Sequence, residues 1–199
     1  MEFPHWDYLA TIGEDLEETA RYVEPVEENF KSFSVEFVRL CLAIGSEVDV
    51  VAKLVCEKVN PGCTVKNIDD YRGVICAAYP GLPEVKVAIT RSNNAIQPWL
   101  DWKSGKNPTW WKSYNGVKHE RNRFFAEANL GNAILSFGGL LILTGYLYGE
   151  ALERHVFVSP SKFVKFSREY YSGHAMGEHF TVGYCLPGFT RKPGQPYRP

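Results

Sequence analysis

Apolar residues recur at three- and four-residue steps through SVEFVRLCLAIGSEVDVVAKLVCEKV, residues 34–59. Val38, Cys41 or Leu42, Gly45, Val48, Val51 or Ala52 and Val55 fall on one stripe, which predicts a long helix with one buried face. Ser34 stands where an N-cap belongs, and Asn60-Pro61-Gly62 ends the pattern. Glu36, Arg39, Lys53 and Glu57 interrupt the other side, with Glu47 and Asp49 flanking that line. These polar positions read either as a solvated face with local ion pairs or as one wall of a polar cleft. Asn67 and Asp70 predict a cap for a short helix over residues 69–79. Val85, Val87 and Ile89 then alternate with Lys86 and Ala88, the period of a strand. Ser92-Asn93-Asn94 is turn chemistry, and residues 95–97 return as a second strand, giving a hairpin between helices.

Further along, Pro108 and Thr109 open a helix through residue 123. Residues 125–152 carry the most apolar pattern, and from Ala133 to Tyr148 only Ser136 and Thr144 are polar. That run of 16 is shorter than the roughly 20 residues of a bilayer span, so a core helix is expected and no membrane partner. Gly131, Gly138 and Gly145 recur every seven residues, which predicts close approach of another helix, from the same fold or from a second copy. Upstream, Thr11 and Glu14 have capping-box spacing and predict a helix to Glu24, stopped by Pro25. Residues 26–33 read as an irregular acidic and aromatic crossing. After Arg154, residues 156–158 and 163–166 are short and apolar, and residues 165–170 fit strand and helix equally. Residues 186–199 read as an extended, Pro-rich, basic tail. The expected fold is mainly α: a four- to five-helix bundle with a small inserted β-hairpin and an irregular C-terminal extension, one domain over residues 1–199.

Composition is that of a globular chain, with 45% hydrophobic and 23% charged residues in 199. Net charge is −1, unevenly spread: residues 1–30 hold nine acids and one base, the remainder 14 acids and 21 bases. An acidic N-terminal segment lying against a basic body is therefore expected. The five cysteines form no CxxC pair. Three fall inside apolar helical patterns, where cysteine acts as a small hydrophobe. With no basic, apolar leader pattern in MEFPHWDYLA, a cytoplasmic location is expected.

Charge and aromaticity concentrate in residues 99–123. Four of the five tryptophans lie there (Trp99, Trp102, Trp110, Trp111), with six of the 22 basic residues. Rings beside cations can stack on bases and hold phosphates. The same mixture can close a core beneath a solvated basic face. On the helix expected here, Trp111, Asn115, His119 and Asn122 share one side, and Tyr114, Lys118, Arg121 and Phe125 an adjacent one. A histidine exchanges protons near neutrality. Asn115 can orient it, and Lys118 and Arg121, with Lys112 nearby, can hold a phosphate. These are the parts of metal-independent RNA cleavage; equally, His119 can be a core histidine and the cations solvated.

The order of elements, with W-W-K-x-Y-N-x-V-K-H-x-R between a polar-interrupted long helix and an Asn-bearing apolar helix, resembles the HEPN superfamily of helical bundles. The resemblance covers residues 34–152. It implies an RNase or an RNase-derived module of toxin–antitoxin, abortive-infection or CRISPR systems, commonly a homodimer with two motifs across one cleft. The HEPN motif is an arginine, often a polar residue next, four to six further residues, and a histidine. Asn115 and His119 take the polar and histidine positions, and Tyr114 stands in place of the arginine. The resemblance implies His119 as acid/base, Asn115 as its orienter, and Lys118, Arg121, Tyr114, Trp111 and Lys112 as contacts to RNA or nucleotide. Arg39, Glu47 and Asp49 would support the same cleft. The alternative is a non-catalytic helical interaction or dimerisation module.

His174, Glu178 and His179 form a second cluster, but their H-x3-E-H spacing matches neither zinc-helix motif. The sequence carries no P-loop, GxGxxG or GxSxG, so neither a metal nor a cofactor is expected.

Overall fold

The structure, a computed structural model, describes residues 3–92, 94–154, 159–176 and 179–189. Its helices are α1 (Pro4–Thr19), α2 (Val35–Val59), α3 (Ile68–Ala78), α4 (Thr109–Phe124), α5 (Leu130–Leu147) and the short α6 (Gly149–Arg154). The strands are β1 (Val87–Ile89), β2 (Asn94–Ile96), β3 (Val164–Phe166), β4 (Tyr171–Met176) and β5 (His179–Tyr184). The fold is thus mainly helical, with a small antiparallel sheet of order β2-β1-β3.

Helix α2 forms as its pattern predicts: Ser34 Oγ accepts from the Phe37 amide at 3.1 Å, and the apolar stripe from Val38 to Val55 is buried. Burial pushes the Cys41 thiol up to about 12, so it stays protonated and packs as a hydrophobe. Asn67 caps α3 by accepting from the amides of Asp69 and Asp70.

The first helix departs from expectation. It starts at Pro4, seven residues before Thr11, because proline fixes the first-turn backbone and the apolar period already runs through Trp6, Leu9, Ile12 and Leu16. Thr11 lies inside the helix and donates to the Asp7 carbonyl at 3.1 Å.

The expected helix over 125–152 also divides. Residues Phe125–Glu127 form a 3-10 turn, and Asn129 caps a new helix by accepting from the Asn132 amide at 3.0 Å. Helix α5 is the centre of the core: from Ala133 to Tyr146 only Leu135 is not buried. It is apolar and long enough for a membrane span by length and composition, yet 83% of it is covered by the rest of the fold.

The glycine seam on α5 does not receive a second helix. Gly131 faces Phe30, Gly138 faces Pro98 and Ile96, and Gly145 faces Phe166 and Leu186. Loop and strand side chains of the same chain fill the groove that would have taken a second copy.

The C-terminal extension carries more order than its composition signals. Strand β3 pairs antiparallel with β1, with Ala88 opposite Lys165. The ambiguous stretch at 165–170 is both things in turn, since Arg168–Tyr170 follow β3 as a 3-10 turn. β4 and β5 form a separate hairpin with Tyr171 opposite Tyr184. Leu186 is buried, and Phe189 stacks on Tyr79 with ring centroids 5.5 Å apart, so residues 186 and 189 pack on the body of the fold. The Pro-rich tail from residue 190 and the apolar residues 156–158 lie outside the described residues.

The acidic N-terminal segment does lie against basic residues of the body. Asp15 pairs with Arg39 at 2.8 Å, Glu24 with Arg91 at 3.0 Å and Glu17 with Lys162 at 3.2 Å. None of these bases belongs to α4, whose charge is left to solvent.

Candidate nucleic-acid interface

The aromatic residues of 99–114 are core. Trp99, Trp102, Trp110, Trp111 and Tyr114 are all at most 8% exposed. Their rings run in sequence, Trp99 on Trp110 at 5.0 Å, Trp110 on Trp111 at 5.9 Å, and Trp111 on Tyr114 at 5.0 Å. Two indoles are also pinned by hydrogen bonds: Trp99 Nε1 donates to the Gly139 carbonyl and Trp110 Nε1 to the Pro98 carbonyl. Tyr114 packs flat against Gly45 of α2, a contact that only a residue without Cβ permits. Trp111 and Tyr114 are therefore scaffold rather than stacking platforms for bases.

Helix α4 then leaves the core. Val117 is its last buried residue, and residues 118–123, KHERNR, are exposed without interruption. Glu120 breaks the helix with φ −135° and ψ 51°. The chain turns back there, so Phe124 comes to lie on Gly116, where an added Cβ would sit 2.9 Å from the ring. The result is a basic knuckle held on an aromatic base.

Two of its cations are braced by rings. Lys118 Nζ lies 5.5 Å from the centre of Tyr114, and the Arg123 guanidinium 5.3 Å from Phe124, with Glu120 3.5 Å from Arg123. Among the described residues Lys112, Lys118 and Arg121 form no ion pair. His119 is exposed on the same knuckle.

The other expected partners are elsewhere. Asn115 Nδ2 donates to the Trp111 carbonyl at 2.9 Å, one turn back along its own helix, and so does not hold His119. Glu47 accepts from His5 Nδ1 at 2.6 Å, which docks α1 on α2. Asp49 accepts from the Tyr71 hydroxyl at 2.7 Å and pairs with Lys53. Burial first, then that carboxylate, hold the Tyr71 hydroxyl well above its ordinary value. Arg39 is held by Asp15 and Glu36. The residues expected to support a cleft around His119 are thus engaged in separate structural pairs, because each finds an opposite charge or donor within its own helix or on α1 or α3.

No known protein-family model, curated protein or solved structure matches this chain.

Sequence reasoning missed a cavity of about 520 Å³ where α1 meets the start of α2, lined by Asp15, Glu18, Tyr22, Phe33, Phe37 and Arg39 among others. Its sequence signal was the aromatic, acidic stretch at 26–33, which reads as a plain surface crossing until α1 ends early at Thr19. Of the second cluster, His174 and His179 lie on the two strands of the β4–β5 hairpin, and Glu178 is outside the described residues. Among the described residues no group of three or more His, Cys, Asp or Glu is placed to hold a metal ion.

Proposed function

We propose that this chain is a helical module that contacts the phosphate backbone of RNA through the knuckle at the end of α4. One observation carries the reading: residues 118–123 are exposed without interruption, hold three cations and a histidine against one acid, and stand on a rigid aromatic base. Such a surface neutralises phosphates without reading sequence, and it releases counterions when it binds. The aromatic–basic density and the HEPN resemblance agree with an RNA partner. The buried tryptophans argue for a fixed scaffold beneath the contact rather than for base stacking by those rings.

The test is binding of a single-stranded RNA at several salt concentrations. With about three phosphates neutralised, log affinity should fall with log salt at a slope of roughly −2. Lys118→Glu combined with Arg121→Glu should flatten that slope. A slope near zero in the wild-type chain would leave the non-catalytic protein-interaction module as the better reading.

A second reading, metal-independent cleavage with His119 as general acid/base, is favoured by its exposed ring beside Lys118 and Arg121. Incubation with RNA in the presence of a chelator separates the two. Cleavage that disappears in His119→Ala while binding persists supports it, and intact RNA in the wild-type incubation removes it.

A further inference from the structure

The cavity between α1 and α2 shares an aromatic wall with the knuckle. Phe33 lines the cavity and packs edge-on against Phe125, with ring centroids 5.8 Å apart, and Phe125 directly follows the last residue of α4. The cavity wall is therefore tied, through Phe125, to the segment that follows α4.

The hollow has the chemistry of a base-reading site. Phe33, 53% exposed, and Tyr22, 82% exposed, offer ring faces above the buried Phe37. Its charged groups are mixed. Arg39 is fixed from two sides, by Asp15 at 2.8 Å and by Glu36 at 2.9 Å, which orients its guanidinium within the hollow. Glu18 is different. Its pairing among the described residues is to exposed Arg21 at 3.7 Å, a weak contact that leaves the carboxylate able to accept from a ligand. A volume of about 520 Å³ lies within the range of small-molecule sites.

We propose that this hollow takes a splayed guanine base of single-stranded RNA whose phosphates rest on the α4 knuckle. The inference rests on the RNA reading above and adds the base that is recognised. Of the four bases, only guanine presents two adjacent donors, N1–H and the N2 amino group, on one edge. That edge matches the two oxygens of a carboxylate such as Glu18, while the O6 acceptor on the other side matches Nη1 of Arg39, the nitrogen not held by Asp15 and Glu36. The ring face stacks on Phe33 and Tyr22. The carboxylates of the hollow repel phosphate, so the backbone is turned toward the cations of residues 118–123. Base and backbone are thereby sent to different places.

The test titrates the full chain calorimetrically with guanosine, inosine and adenosine, which carry no phosphate. Guanosine should bind, inosine, lacking the N2 amino group, about tenfold more weakly, and adenosine more weakly still. Glu18→Gln, an exposed substitution on α1, should remove the preference for guanosine over inosine, and Phe33→Ala should weaken every nucleoside. Equal binding of the three nucleosides, no binding of any, or an unchanged preference in Glu18→Gln overturns the assignment. If RNA binds with the expected salt slope while guanosine does not, the hollow fails and the knuckle stands. If guanosine binds and RNA does not, the knuckle fails and the hollow stands.

Discussion

The two ends of α4 share one helix and differ in every physical respect. Its first turns carry Trp110, Trp111 and Tyr114, buried against α2 and α5. Its last carry Lys118, His119, Arg121 and Arg123, all exposed. Read along the chain, rings and cations look interleaved, as in a stacking surface for nucleic acid. In space they separate within about two turns, because the helix runs out of the core after Val117 and breaks at Glu120. A mixture in sequence is thus a gradient in structure: rings build the support, and cations are what the support presents.

The sharpest way to break this comparison is at the buried end. Trp110→Ala should cost about 3–5 kcal/mol of stability, read from the urea midpoint, since it empties a fully packed site and frees the Pro98 carbonyl. A loss under about 1 kcal/mol would mean that the ring is not the scaffold described. Gly139→Leu comes next. An added Cβ would already stand 2.9 Å from Trp110, so the substitution should cost about 1–3 kcal/mol or more by overpacking, measured in the same way.

At the exposed end the signs separate. Lys118→Glu with Arg121→Glu should weaken RNA binding at low salt about tenfold or more, two reversed contacts being removed from a backbone interface. The same variant should unfold within about 0.5 kcal/mol of the wild type, because neither side chain is buried. Gly73→Ala supplies a small stabilising control on α3. Nothing stands within 4 Å of the added Cβ, and helix propensity alone should raise stability by about 0.5–1 kcal/mol. His119→Ala is expected to be the smallest, within about 0.5 kcal/mol in thermal unfolding. A larger loss would place the ring in the core after all.

Much of the architecture was legible because local signals and burial agree. Ser34 and Asn67 are caps in sequence and in space, and the alternation at 85–89 contains a real strand, Val87–Ile89, beside its turn. The failures have local causes. Thr11 and Glu14 mimic a capping box inside a helix that Pro4 had already started. Asn129 falls inside the single helix expected over 125–152 and is instead the cap of a helix that begins after it. The α5 glycines signalled close packing correctly, but spacing along one helix does not say whether a helix, a loop or a strand fills the groove. At the site, the exposure of residues 118–123 followed from their charge. The diversion of Glu47 to His5 and of Arg39 to Asp15 depends on how α1 docks on α2, a tertiary contact that no spacing in either helix announces. For the same reason the hollow around Phe33 was invisible, since its walls come from α1, the crossing segment and α2 together.

Lysine footprinting with and without RNA tests the division of α4 most directly. The acylation rate at Lys118 should fall when a single-stranded RNA is added, while Lys112 on the first turns of α4, Lys53, paired with Asp49 on α2, and Lys66, before α3, keep theirs. Protection spread evenly over all four lysines, or confined to Lys53 and Lys66, would contradict the placement of the RNA on the α4 knuckle.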